Sequence, residues 1–195
     1  MESMQTTIST DHLSRAFTST RLVLEAVQPN QMGAPTPCAS WDVRALIDHL
    51  VGSARWATAA LTAAITGDEV AEEEGAPGDF RVRYEESMHA SLAAFGSDGA
   101  LETTVVLPFG EVTGAVLMGI ATGDQFTHGW DLARAIGHRT DLDPELAEEL
   151  LIQARRMLPA ESRGPDGVAP FGPVVRPPLE ASPADRLAAF LGRSM

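Results

Sequence analysis

The chain contains no lysine; all 14 of its basic residues are arginine. That excludes Schiff-base chemistry, which needs a lysine amine, although a GC-rich coding bias accounts for the absence as well as any function does. Cysteine is almost as scarce. Cys38 stands alone, so no internal disulfide can form. The opening MESMQTTIST has neither the basic flank nor the apolar core of an export signal, and a cytoplasmic location is expected. No apolar run approaches the ~20 residues needed to cross a bilayer, so no membrane partner is expected. Positive charge is also in short supply: 27 acidic side chains leave a net charge of −13. Such a chain repels phosphate backbones and gains nothing from counterion release, which argues against a nucleic-acid partner. Missing too are CxxC, a P-loop, GxGxxG, HExxH and any nucleophile elbow.

What is present is the composition of a globular protein, 44% apolar and 21% charged over 195 residues. A chain of this length reads as one domain, 1–195, able to bury roughly 70% of its unfolded surface. Helical spacing of Leu13, Ala16, Phe17, Thr20, Leu24 and Val27 predicts a first helix over about 11–28, capped by Thr10 or Asp11 and closed by Pro29. His12, in its first turn, reads as a surface residue. After a proline-rich loop, Ser40 is expected to cap a second helix from Trp41 to about Thr66. Its core stripe is Val43, Ile47, Leu50, Ala54, Ala57 and Leu61, with Asp42 in the first turn and His49 at the stripe's edge. The acidic GDEVAEEEGAPGD reads as a solvated loop, with a lid as the alternative. A third helix follows over 80–95 with Tyr84, Met88, Leu92 and Phe95 inward and His89 exposed. LETTVVLPFGEVTG reads as a short extended connection rather than a full strand, giving a long crossover. Beyond residue 137, Asp143 and Pro144 open a fifth helix to about Leu158. The proline- and glycine-dense tail of about 160–195 is ordered only if it packs on the bundle, and Ser182, Pro183 and Asp185 start a last short helix in it.

The remaining stretch, residues 114–137, carries the chemistry. Wound as a helix, GAVLMGIATGDQFTHGWDLARAIG places Leu117, Ala121, Leu132 and Ala135 on one face. Asp124 and His128 lie at the middle of that face, one turn apart. A carboxylate and an imidazole in an apolar stripe cost several kcal/mol unless each is compensated. A metal ion held between helices is one answer and a buried Asp–His hydrogen bond is the other; His49 on the second helix is the candidate third ligand. Asp48, Asp131, Arg55 and Arg134 are candidate supports for the site, or else exposed helix-surface charges. Cys38 precedes a helix N-terminus, which could lower its pKa, but nothing near it argues for a nucleophile and a structural role is expected.

Two runs carry a resemblance. TPCASWDVRALIDHLVGSARW is similar to the TPC-x-x-W-x-V-R-x-L-x-x-H-x-x-G segment of the mycothiol-dependent maleylpyruvate isomerase N-terminal family, within the DinB/YfiT-like superfamily, and DQFTHGWDLARAIG is similar to that family's second signature. FGPVV…SPADRLAAFLGR resembles the ending of an uncharacterised actinobacterial-type subgroup. The resemblance implies an all-α, four-helix bundle with one divalent metal, usually zinc or nickel, held by His49, Asp124 and His128. Aspartate at 124 stands where the isomerase type has glutamate, one methylene longer. It also implies a small thiol such as mycothiol, or its conjugate, as partner. A homodimer is kept open as the assembly.

Two imidazoles and one carboxylate make a three-ligand site with open positions, which suits a catalytic zinc better than a structural one. Two functions follow as expectations: a metal-dependent transferase or isomerase using a small thiol, or a non-catalytic metal-binding accessory or stress-related protein. Isomerase relatives carry a C-terminal domain that contributes to activity, and the chain ends too early to hold one. Maleylpyruvate isomerisation itself is therefore not expected.

Overall fold

A computed structural model of the protein describes residues 8–67, 78–165 and 168–195. Among them are six α-helices: α1 (Thr10–Ala26), α2 (Val43–Thr66), α3 (Phe80–Phe95), α4 (Gly114–Ala135), α5 (Pro144–Met157) and α6 (Pro183–Phe190). One two-stranded antiparallel sheet, β1 (Thr104–Leu107) and β2 (Gly110–Thr113), accompanies them. The fold is all-α with a helical order like that of DinB-type proteins. Most of the acidic, glycine-rich segment read as a loop or lid lies outside the described residues.

The chain divides into two compact units, and the division falls inside α1, α2 and α4. One unit takes the described residues up to Phe17 together with Asp48–Gln125. Its core is made by the expected stripes: Leu13, Ala16 and Phe17 of α1, Leu50, Ala54, Ala57 and Leu61 of α2, and Leu117 and Ala121 of α4 are all buried. Phe17 and Tyr84 meet edge to face at 5.8 Å. α3 buries Tyr84, Met88 and Phe95 as expected, but it turns Ser87 and Ser91 inward while Leu92 is only half-buried. Ser91 can afford that place because its hydroxyl lies 3.2 Å from the carbonyl of Ala54 and 2.6 Å from Thr58 Oγ1.

The expected extended connection is instead a hairpin. Val105 pairs with Val112 and Leu107 with Gly110, around a two-residue turn at Pro108–Phe109. Gly110 takes φ +130°, which residues with a side chain rarely adopt, so the proline and glycine that break the alternation in sequence make the turn. Gly114 then opens α4 against the preceding segment: a Cβ there would sit 1.9 Å from the carbonyl oxygen of Ala100.

The second unit takes Thr18–Ile47 and Phe126–Met195. Gly129 lets α4 approach α1 closely, since a Cβ would lie 2.2 Å from the buried Thr20 hydroxyl. The start of α2 differs from expectation by two residues. Asp42, not Ser40, is the cap: its Oδ1 accepts from the N–H of Ala45 at 2.9 Å. The preceding TPCASW run is a tight turn in which the Thr36 hydroxyl accepts from the N–H of Cys38 at 3.1 Å and donates to the carbonyl of Trp41 at 2.8 Å. Asp143 and Pro144 open α5 as read from sequence.

The described residues of the proline-rich tail find polar anchors within this unit. Arg163 donates to the carbonyls of Gly172 and Phe190 at 3.0 and 2.8 Å and lies 4.5 Å over the Phe190 ring. Ser182 and Asp185 form a reciprocal capping box at the start of α6. The same Asp185 accepts from the indole N–H of Trp130 at 2.9 Å, tying α6 to α4. Burial alone would raise the Asp185 pKa, but hydrogen bonds from Trp130, Thr140 and Ser182 hold it below the usual aspartate value. Asp185→Ala is expected to cost about 1–2 kcal/mol in thermal unfolding at neutral pH, by loss of a cap and a buried indole partner. Because the native carboxyl is held below its unfolded value, this contribution is fully present above about pH 4 and is lost as pH falls through the lower native value. The gap between wild type and variant, measured by circular dichroism melts at a series of pH values, should therefore close on the acid side.

Candidate metal centre

His49 and Asp124 come together within the first unit. The imidazole Nε2 of His49, on α2, lies 3.3 Å from Oδ1 of Asp124, on α4. This is long for a charge-assisted hydrogen bond. It matches the spacing of two ligands of one ion, since atoms about 2.1 Å from a tetrahedral centre are about 3.4 Å apart. A hydrogen-bonded line aims the carboxylate. Tyr84, fully buried on α3, donates its hydroxyl to Gln125 Oε1 at 2.9 Å. The Gln125 amide donates to the Leu50 carbonyl at 2.9 Å and to Ser53 Oγ at 3.1 Å. With that lone pair used, Ser53 gives its proton to Asp124 Oδ2 at 2.7 Å. One carboxylate oxygen is thus occupied from behind and the other faces His49.

Asp124 is less buried than its place in the stripe predicts: its side chain keeps 24% of its surface and that of His49 keeps 29%. The reason is a cavity of about 300 Å³ beside them, lined by His49, Gly52, Ser53, Trp56, Ile120 and Asp124 among others.

His128 follows Asp124 by one turn of α4 and belongs to the second unit. It is buried, and its Nδ1 lies 3.0 Å from Oδ2 of Asp131, a residue with no exposed surface. Burial alone would raise the Asp131 pKa, but the hydrogen bond from His128 and the charge of Arg193 hold it below the usual range. Asp131 is therefore an ionised acceptor, and Nδ1 is the ring nitrogen of His128 turned toward it. This is the carboxylate–histidine arrangement that orients a metal-ligating ring. Trp41 packs on the other side of the ring, at 5.5 Å between centroids.

Cys38, His128 and Asp131 also bring three ligand atoms within 4.8 Å of one another, close enough to share an ion. A cation is already there. Arg193 Nη2 lies 3.2 Å from Asp131 Oδ2 and 3.7 Å from Cys38 Sγ. The lowering of the Cys38 pKa that a helix start could bring does not occur. Burial first, and then the Asp131 carboxylate, push the thiol up to about 12 despite Arg193, so it stays protonated and donates to Asp131 at 3.2 Å. That is the structural role expected of it.

Of the four candidate supports, Asp131 contacts a site histidine. Asp48 turns away to meet Arg83 at 2.6 Å, Arg134 is exposed, and neither Arg55 nor Arg134 lines the cavity. Sequence reasoning missed Gln125, Tyr84 and Arg193. Gln125 carries a local signal, a second polar residue beside Asp124 on a largely buried helix. Arg193, 62 residues beyond its partner, carries none.

The sequence profile of the mycothiol maleylpyruvate isomerase N-terminal domain matches residues 13–133, more than half of the chain. The chain belongs to this family. Its match runs from α1 to the end of the Asp131 turn of α4, and so takes in His49, Asp124, His128 and Asp131 but not Arg193. Two uncharacterised proteins of Mycobacterium tuberculosis, from strains CDC 1551 / Oshkosh and ATCC 25618 / H37Rv, are each 38% identical over 185 residues, covering 93% of this chain and 95% of the relative. No solved structure matches the chain significantly. No helix among the described residues is long and apolar enough to cross a membrane.

A thiol held protonated and hydrogen-bonded reacts slowly. Alkylation of Cys38 by iodoacetamide at pH 8 should run at least ~100-fold slower in the native protein than in urea. Arg193→Ala, which leaves the buried Asp131 charge uncompensated, should destabilise the fold by about 3 kcal/mol and expose the thiol to reagent.

Proposed function

We propose that His49, Asp124 and His128 hold one divalent cation, zinc or nickel, within a single domain spanning 1–195, and that the protein is an enzyme of the mycothiol-type transferase or isomerase class working on a small thiol or its conjugate. The observation that carries this reading is the His49–Asp124 pair, 3.3 Å apart at the wall of an open cavity. The chemistry of the donor set fits. His49 and Asp124 present a nitrogen and an oxygen at ligand spacing, and His128 stands one turn from Asp124 on the same helix, where i,i+4 side chains are neighbours. Its ring is held at Nδ1 by Asp131, the way a carboxylate orients a metal-ligating histidine. A divalent ion bound with an open position supplies Lewis acidity to a sulfur or oxygen atom placed beside it.

The residues around the site do the rest. Ser53, itself held by Gln125, pins one oxygen of Asp124 and keeps it from rotating away from His49. Arg193 and Asp131 fix the ring of His128. None of these side chains is a nucleophile, and the one cysteine is a protonated hydrogen-bond donor, which leaves the nucleophile to come from the thiol partner. Family membership supports a thiol of the mycothiol type, and the open cavity favours a site that receives a ligand over a sealed metal store.

Metal analysis of the purified protein should give about one divalent ion per chain. His49→Ala, Asp124→Ala and His128→Ala should each weaken metal affinity at least ~100-fold, and Asp131→Asn about 10–100-fold through the lost orientation of His128. Thiol binding by wild type should disappear with chelator and in the ligand variants. If wild type loads metal but binds thiol no better than the variants do, the enzymatic reading fails and a non-catalytic metal-binding accessory protein replaces it.

A further inference from the structure

The cavity beside His49 and Asp124 is divided by chemistry. Its polar groups, from His49, Ser53, Asp124 and Gln125, are joined by the hydrogen bonds already described, whereas Trp56, Ala57, Ile120 and Ala121 supply aromatic and aliphatic surface. Trp56 and Ile120 leave 40% and 41% of their surface in solvent, the exposure of large apolar side chains that marks a binding surface when it is contiguous with a site. No arginine lines the cavity among the described residues, and its one carboxylate is that of Asp124.

Gly52 is a second and independent observation. It stands well inside α2, where glycine destabilises a helix relative to alanine. No close approach requires it, because a Cβ at Gly52 would meet nothing within 4 Å, and its φ is not positive. The space a side chain would take is cavity. The helix gives up stability at a lining position where a larger residue would project into the hollow.

We infer that this cavity binds the uncharged, apolar body of a small ligand, aromatic or branched aliphatic, and discriminates against carboxylates. A cavity of roughly 150 Å³ accepts benzene, so about 300 Å³ has room for a two-ring or comparably branched body. The cavity itself does not depend on a bound metal. What rests on the proposed function is only the next step, that such a body belongs to the thiol or to the molecule the thiol joins.

A matched pair of probes tests it. 2-Naphthol is neutral at pH 7, and 2-naphthoate has the same rings with a carboxylate. Isothermal titration of the metal-stripped full-length protein should show saturable binding of 2-naphthol, at least tenfold tighter than that of 2-naphthoate. Gly52→Leu should weaken 2-naphthol at least tenfold while melting no lower than wild type, which separates filling of the cavity from unfolding. Gly123→Ala relieves a helical glycine on α4 that does not line the cavity and should leave binding unchanged. Equal binding of the two probes, no saturable binding of 2-naphthol, or unchanged binding in Gly52→Leu overturns the inference. A separate titration with naphthalene-2-thiol, before and after zinc loading, tests the proposed function. If zinc brings no gain in thiol affinity while 2-naphthol binds, the thiol reading is lost and the apolar cavity stands.

Discussion

Asp131 is a carboxylate with no exposed surface, and the second unit is arranged to compensate it. Removing such a charge from water costs several kcal/mol unless partners replace the solvent. Here the partners are His128 from the same helix, Cys38 from the tight turn before α2, and Arg193, two residues before the last. One buried charge therefore draws together three segments remote in sequence. The same arrangement explains two chemical facts. The cysteine is a protonated donor rather than a thiolate, and the imidazole turns its Nδ1 to the same carboxylate. A single acceptor determines both, because a carboxylate held ionised in a low-dielectric site takes every nearby proton as a hydrogen bond.

The first unit solves a related problem differently. Asp124 is not sealed off; it keeps part of its surface in a cavity and is held by one oxygen. The line from Tyr84 through Gln125 and Ser53 runs in one direction only, donor to acceptor, and ends on the carboxylate. In a line of that polarity the shortest hydrogen bond of the Ser53 hydroxyl goes to the carboxylate, so a buried tyrosine on a neighbouring helix helps to orient Asp124. Side chains that make no contact with a ligand thus decide the geometry offered to one.

Membership of the mycothiol maleylpyruvate isomerase N-terminal family covers the polar residues of α2 and α4 but stops short of the C-terminal segment. In this chain that segment supplies Arg193 and the Asp185 that holds Trp130. The uncharacterised mycobacterial relatives align with 93% of the chain, a span that extends beyond the family match. The aspartate at 124 has a serine close enough to pin it and a cavity beside it.

The helices were legible in the sequence because their determinants are local. The stripes of α1 and α2 are buried as their spacing predicts, and Asp143, Pro144 and Ser182 start helices as their capping chemistry dictates. Local rules failed by small margins where two of them competed, at the Ser40–Asp42 start of α2 and in the hairpin, whose proline and glycine read as interruptions of a strand rather than as its turn. The placement of Asp124 and His128 one turn apart on a core-facing helix is likewise a property of sequence. The tertiary structure alone decided that His49 meets Asp124, that Asp131 rather than Asp48 supports a histidine, and that Arg193 neutralises it. The physical reason is that a cap or a stripe is satisfied within a few residues by backbone geometry, whereas a buried charge accepts compensation from whichever part of the chain the fold delivers, and the distant partner bears no mark of the pairing.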